Sequence, residues 1–527
     1  MAQAAPPADG LAASAPPSDS PTLPTQHHTL VVVGVMLATI LPLLDTTIAN
    51  VAIPHMQSAL GATPETVMWV LTSYIIAHAV AIPLTSWLAE RVGSRQLFLA
   101  STAGFIITSM LCGIAQNLEG MVLFRVMQGI AGAFLVPLSQ SILLDVTRPS
   151  RHASMMAIWG LGAVLGPILG PLAGGWITES FNWRWIFIIN APLGFISVAL
   201  LYFTLPGHPK IRRTFDLTGF VLLGIAMASL QFLLDRGHQV DWFDALESWI
   251  YLGLCLSALW MFIVHLATTS NPLFDRALFA DINFLIAFIF MILVGMVIYA
   301  TAALLAPMLQ NLFGYSAFDT GIVIAPRGIG AMIAMQTASR MLSRNIDPRL
   351  PITMGFFCVI WSMYAMTGWS LDTPQIDFIW TGVVQGMGVG FITLPIYVVG
   401  FATLAPRLRT DGAGLLNLSR LVGSSVSISV VTALFARNMQ VSHADLGGHI
   451  DQSITDLIDT AMVGQYHEIG EGALRMLDIE INRQAAMIAY LNDFWLIMWA
   501  CLLTMPLILL VRRAAPAPVA ASEAAAH

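Results

Sequence analysis

Apolar runs of about 20 or more residues recur along this chain between short polar breaks. At 1.5 Å per residue each is long enough to cross a hydrocarbon core of about 30 Å. The 527 residues are 57% hydrophobic and only 10% charged, against roughly a quarter charged in an average soluble domain, so lipid rather than a protein core is the expected solvent. The fold class that follows is an all-α membrane protein. Apolar runs place helices at roughly 29 to 54, 67 to 88, 96 to 116, 120 to 145, 152 to 177 and 184 to 205, forming a first half. Two more, at roughly 216 to 234 and 248 to 268, follow the basic break Lys210, Arg212 and Arg213. Six further helices, at roughly 283 to 310, 318 to 341, 350 to 369, 376 to 404, 411 to 436 and 489 to 511, complete a count of about fourteen.

Loop charge sets the expected orientation, because basic residues stay on the cytoplasmic side during insertion. Alternate connections carry Arg91 and Arg95, Arg148 and Arg151, Lys210 to Arg213, Arg276, Arg340 to Arg349, Arg407 and Arg409, and finally Arg512 and Arg513. The opposite connections are acidic, with Glu65, Glu119, Glu179, Asp241, Asp244, Glu247, Asp319, Asp372 and Asp377. Both termini are therefore expected in the cytoplasm. Residues 1–28 are rich in Pro, Ala and Ser, without Lys or Arg, and read as a loose tail rather than a secretory signal; 512–527 read as a second tail. The division expected is a first six-helix half over 29–206, a linker with two extra helices over 207–268, and a second half over 269–511. One outer connection, 437–488, is long and acidic, with helical composition from Ile454 to Ala489; it is either a contact surface or a tolerated insertion.

Enzyme or sensor chemistry finds little support. Cys112, Cys255, Cys358 and Cys501 lie in apolar runs without paired spacing, no His/Cys/carboxylate cluster has metal-ligand spacing, and no Gly-x-x-x-x-Gly-Lys loop occurs. No metal and no cofactor are expected, and without an ATP-binding motif an ion gradient is the expected energy source. Charged residues inside apolar spans carry the chemistry instead. Asp45, in Leu44-Asp45-Thr46-Thr47-Ile48-Ala49-Asn50, is an acid where charge is costly to maintain, which makes it a candidate to bind and release protons or a member of a static ion pair. Arg125, in Arg125-Val-Met-Gln128-Gly129, costs at least about 2.5 kcal/mol in such a span and marks a partner or a pathway, or an anchor for neighbouring helices.

Several strings resemble the major facilitator superfamily. Ser86-Trp-Leu-Ala-Glu90-Arg91-Val-Gly93-Ser-Arg95 is similar to its gating signature G-x-L-A-D-R-x-G-R-[KR], with Ser86 and Glu90 departing from it, and Ser339 to Arg344 echoes it in the second half. Arg125 with Gln128 and Gly129 resembles the R-x-x-Q-G motif linked in the family to proton transfer. Gly166-Pro167-Ile-Leu-Gly170 with Gly174 and Gly175 resembles the antiporter motif, whose glycines let helices approach closely. Leu44 to Pro54 resembles the L-D-x-T-I-x-N-V-A-[LI]-P mark of fourteen-helix drug:proton antiporters, and strings at 182–194, 234–243, 271–273 and 412–425 are similar to the EmrB-type branch.

The resemblance implies two six-helix halves rocking about a central cavity, with two inserted helices at the periphery. It implies proton-driven export of hydrophobic toxicants through Asp45 and Arg125, gated by Glu90, Arg91, Gly93, Arg95, Gly166, Pro167, Gly170 and Gly174. Cavity candidates are Asn50, Trp69, Tyr74, His78, Gln128, Gln140, Trp159, Tyr299, Gln310 and Asn417, each equally readable as a packing contact. It further implies a bacterial inner-membrane location, small-molecule drugs as cargo, an EmrA-type periplasmic adaptor that the outer loop would meet, and a TolC-type outer-membrane channel. A stand-alone exporter of one metabolite or siderophore is the alternative.

Overall fold

A computed structural model describes residues 20–207, 214–237, 240, 242–448 and 467–511. The chain is all-helical, and thirteen helical segments among the described residues are long and apolar enough to span a membrane. In chain order, α1 is His28–Ala59, α2 Trp69–Val92, α3 Ser94–Ile114 and α4 Leu118–Asp145; α5 is His152–Ser180, α6 Trp185–Thr204, α7 Leu217–Gly237 and α8 Leu246–Thr268. Then come α9, Ile282–Asn311; α10, Phe318–Ser343; α11, Arg349–Met366; α12, Gln375–Ala402; α13, Arg409–Gly448; and α14, His467–Thr504. Helix α5, 29 residues long, stands beside the thirteen and completes the fourteen that the apolar runs predict. The basic connection 208–213 and the tail segments 1–19 and 512–527 lie outside the described residues. Residues 20–27 run along the basic end of the bundle, where Leu23 N donates to the Asp145 carbonyl at 2.8 Å.

Two groups of helices pack among themselves: α1 with α5 and α6, α2 and α3 with α4, and in the second group α9 with α13, α12 with α10 and α11, and α14 with α11 and α13. The groups meet where α5 faces α10 and α12 and where α4 faces α13. Helices α7 and α8 pair with each other, and α7 alone of the two packs substantially on the rest, against α2 and α13. Lipid exposure follows: the most apolar stretch of α8 is only 17% buried against 72% for α12.

Close approach is built from small residues. Gly162, Gly166, Gly170 and Gly174 form one face of α5, and a Cβ on Gly166 would lie 2.7 Å from Leu43 Cβ and one on Gly174 2.9 Å from Ile48 Cγ1. At Gly170 it would collide with Thr47 Oγ1, which itself donates to the Gly166 carbonyl at 3.3 Å. The second group repeats the device, with Gly330, Gly386 and Gly390 joining α10 to α12 and Gly295 and Gly423 joining α9 to α13, backbone against backbone.

The outer connection departs from the sequence expectation of a loop over 437–488. Helix α13 runs on to Gly448 and α14 begins at His467, so only 449–466, outside the described residues, separates them. At 40 residues α13 is about 60 Å long, twice a hydrocarbon core. Hydropathy falls where lipid ends, but the helix continues, because its extension packs against α14 and His443 meets Asp478 at 3.1 Å.

Candidate functional site

Helix α4 begins with Asn117 capping the Gly120 amide at 2.8 Å, and the spacing of three puts Arg125 and Gln128 on one face toward α1 and α2. Asp45 and Arg125 are both fully buried and form an ion pair, Arg125 Nη1 to Asp45 Oδ2 at 2.5 Å. The same Nη1 donates to Gln128 Oε1 at 2.9 Å, and Nε donates to the Val70 carbonyl of α2 at 2.9 Å. The other carboxylate oxygen, Asp45 Oδ1, accepts from Gln128 Nε2 at 2.9 Å and from Asn190 Nδ2 of α6 at 3.3 Å. Asn190 also donates to Ser109 Oγ of α3 at 3.0 Å. The guanidinium carbon lies 4.4 Å from the Tyr74 ring centroid and 5.5 Å from that of Phe187, so a cation–π contact on each ring adds to the charge pair. Helices α1, α2, α3, α4 and α6 are thus tied together by one desolvated network, in which both oxygens of the Asp45 carboxylate are used while Arg125 Nη2 and Asn190 Oδ1 are buried without a hydrogen-bond partner among the described residues.

Beside this network lies a cavity of about 60 Å³. Its walls include Thr46, Tyr74, His78, Tyr299, Asn417 and Arg420. Tyr74 belongs to both places: it lines the cavity and its ring carries the Arg125 cation. Asp45 and Arg125 do not line the cavity.

The cavity candidates therefore divide. Tyr74, His78, Tyr299 and Asn417 are on its wall, with Tyr74 and His78 stacked at 5.6 Å. Gln128 belongs to the charge network, and Gln140 accepts from Asn417 Nδ2 at 2.8 Å across the two groups. Trp159 is buried, donates Nε1 to Ser139 Oγ at 2.9 Å and meets Tyr397 edge-on at 5.4 Å. Asn50 is exposed and bonds the Thr46 carbonyl, Trp69 packs on Phe232 at 5.9 Å, and Gln310 is exposed near the end of α9; none of the three lines this cavity.

At the basic end, Gly93 has φ of 103°, a turn that disfavours any side chain, and it separates α2 from α3. Arg91 lies over the Trp87 ring at 5.1 Å, and Arg95 Nη2 reaches the Tyr202 carbonyl of α6 at 2.5 Å. Glu90 is half-buried beside them. The echoing residues Arg340 and Arg344 are exposed at the end of α10. The groups are joined here by Arg409 with Asp145 at 3.1 Å and by Ser141 with Thr410 at 2.8 Å, so this end is closed. Of the antiporter motif, Gly166, Gly170 and Gly174 face α1; Pro167 shares their helix.

Sequence reasoning missed Asn190 and Ser109, polar residues whose apolar neighbours gave no reason to single them out. It also missed Asp493 on α14, which is fully buried and whose carboxylate oxygens have no hydrogen-bond partner among the described residues.

The model of the Major Facilitator Superfamily matches residues 35–428. The chain belongs to the major facilitator superfamily. This superfamily member is 34% identical over 479 residues to the multidrug export protein EmrB of Escherichia coli K12, a match covering 89% of this chain and 92% of the relative. It is 35% identical over 474 residues to the fatty acid resistance protein FarB of Neisseria gonorrhoeae, covering 89% and 93%. The solved proton:xylose symporter XylE shares its fold at a TM-score of 0.57 and 10% identity, covering 90% of this chain and 94% of that one. The transporter is thus a multi-pass membrane protein with homology to drug exporters, and not an enzyme.

Proposed function

We propose that this transporter exports toxic, mostly hydrophobic small molecules across a bacterial inner membrane in exchange for entering protons, as the inner-membrane subunit of a three-part efflux pump. The observation that carries the reading is the Asp45–Arg125 pair, buried behind a cavity wall that it shares through Tyr74. A proton taken up on Asp45 removes its charge, releases Arg125 Nη1 and loosens α1 from α4. Cargo pressing on Tyr74 acts on the same pair from the cavity side, so the two ligands compete through one network. The helix groups then rock about the cavity, with Asp145–Arg409 closing one end in the state described here. Names of the relatives, multidrug export and fatty acid resistance, agree with amphiphilic cargo. The long extensions of α13 and α14 are the surface an EmrA-type adaptor would meet on the way to a TolC-type channel.

The deciding experiment adds candidate toxicants to the purified protein in weakly buffered lipid nanodiscs and follows proton release with a pH dye. Release that saturates with the same toxicants to which a knockout strain becomes sensitive supports antiport; toxicant binding without release rules it out.

Orientation gives a second expectation. With Cys112, Cys255, Cys358 and Cys501 buried or half-buried, single cysteines at Asp445 and at Arg340 can be compared. An impermeant thiol reagent should label position 445, and not 340, in cells with a permeabilised outer membrane. The reverse pattern would place the α13–α14 extension in the cytoplasm.

A further inference from the structure

The cavity's charge is set from one side. Of the residues lining it, Arg420 of α13 is the one permanently charged group, and no carboxylate is among them. The family acid is no counter-ion for it, since Asp45 is held by Arg125, Gln128 and Asn190 outside the lining. Among the described residues Arg420 makes no ion pair; its side chain has a single long hydrogen bond, Nη2 to Asn417 Oδ1 at 3.4 Å. Asn417 is itself committed to Gln140 and the Ala413 carbonyl, both at 2.8 Å. Such a guanidinium within a membrane-spanning helix has most of its five donors unused, a cost that packing alone does not offset. Nor is it free to leave: its own backbone carbonyl abuts Gly295 so closely that a Cβ there would clash, and Gly423 abuts the Ile292 carbonyl in the same way. The helix backbone that carries the guanidinium is therefore fixed beside the cavity.

The opposite wall offers further donors. His78 Nδ1 and Tyr74 Oη are buried and have no hydrogen-bond partner among the described residues, while the hydroxyls of Thr46 and Ser424 in the same lining are committed as donors to the Leu43 and Leu421 carbonyls. A site with a fixed fork of donors, unpartnered donors facing it and no acceptor charge matches a planar anion, which a guanidinium binds in bidentate fashion. The volume of about 60 Å³ is room for a carboxyl headgroup. The apolar remainder of the ligand belongs against Pro42, Leu43, Ile75 and Ile82, which complete that wall.

We propose that Arg420 forms an anion subsite, with His78 and Tyr74 as auxiliary donors, and that the preferred cargo is an amphiphile carrying one carboxylate. The assignment narrows the cargo class of the export reading, but its test is an equilibrium one, so a failure of proton coupling leaves it standing or falling on its own.

Three fluorescent probes of nearly one shape separate charge from shape: pyrenebutyrate, pyrenebutyramide and pyrenebutylamine. Binding is measured by fluorescence anisotropy on the full chain in uncharged-lipid nanodiscs at equal pH on both sides, so no gradient enters. The wild-type protein should bind the carboxylate at least about tenfold more tightly than the amide, and the amine most weakly, as a charge-assisted bidentate contact requires. In Arg420→Gln the carboxylate should fall to about the affinity of the amide, whose own binding changes less than about twofold. Arg420→Lys, which keeps the charge and loses the fork, should retain an intermediate preference and shows that the site is otherwise folded. Equal wild-type affinity for the three probes, tighter binding of the amine, or a loss in Arg420→Gln that is the same for carboxylate and amide overturns the subsite.

Discussion

Asp45→Asn should abolish proton-driven accumulation of toxicant in everted vesicles while leaving energy-independent exchange of labelled for unlabelled toxicant nearly intact. Asparagine has the size of the protonated acid and never gives up a proton, so it removes the one step in which Asp45 loads and unloads. The loss in the driven rate should be on the order of a hundredfold or more, as when an essential proton-transfer group is taken away. Binding should survive because Asp45 does not line the cavity. The local cost is calculable in kind. Asp45 Oδ1 accepts from two amide groups, Gln128 Nε2 and Asn190 Nδ2, and an asparagine amide placed there would face donors with a donor. With its oxygen placed there instead, the amide faces the Arg125 Nη1 that Oδ2 now accepts. Two contacts are orphaned in the first placement and one in the second, so the second is favoured, at a cost of about 1–3 kcal/mol, which lowers the yield of folded protein without unfolding it. Asp45→Glu tests position rather than chemistry: it keeps a titratable group on a longer stem and should retain a measurable driven rate. Normal driven export by Asp45→Asn at ordinary expression would remove Asp45 from the proton path, and the buried Asp493 would be the next acid to examine.

Which parts of this arrangement could be read from the sequence follows from what hydropathy and charge can and cannot encode. Helix number was legible because each span must fill the same hydrocarbon thickness, whereas the peripheral place of the inserted pair was implied only by the family resemblance; α8 is the less buried of the two, and α7 packs against α2 and α13. Asp45 and Arg125 stood out because charge in an apolar run is rare, and the glycines of α5 because their spacing of four is the spacing of a helix face. Asn190 did not stand out: a neutral amide in a span is unremarkable until a carboxylate from α1 is found at 3.3 Å. The cavity was only partly legible, since polarity reveals that a residue avoids lipid without telling whether it faces space, another helix or the bilayer edge. Gln128, Gln140 and Trp159 are each held in a packed contact, with Asp45, Asn417 and Ser139 in turn, whereas Arg420, equally visible as a charge in a span, lines the open volume. The end of α13 was illegible for a further reason. An apolar run marks where lipid stops, and the helix outlasts it because α14 supplies the partner that lipid no longer does.

Arg125→Ala should reduce driven export to background, and for a reason different from that of Asp45→Asn. The guanidinium stays protonated throughout the physiological range, so it cannot carry the proton; its work is to give Asp45 a partner when the acid is charged. Removing it leaves a fully buried carboxylate facing only Gln128 and Asn190, and takes away the added bond to the Val70 carbonyl. Breaking a buried pair in this way costs about 3–5 kcal/mol, enough to depress the amount of folded protein, so transport must be expressed per folded molecule and Arg125→Ala alone does not decide the question. Arg125→Lys keeps the charge but a single ammonium cannot serve Asp45, Gln128 and Val70 at once, nor spread across the Tyr74 and Phe187 rings. A driven rate roughly tenfold below wild type is the expected result, the order of one lost charge-assisted contact. The decisive variant is the double replacement Asp45→Asn with Arg125→Gln, which discharges both partners and leaves two amides able to bond each other. Its thermal stability should rise clearly above that of Arg125→Ala, because no lone charge remains buried, while driven export stays at background. If the double variant regained export along with stability, the pair would be a packing device joining α1 to α4, and the proton would have to cross elsewhere.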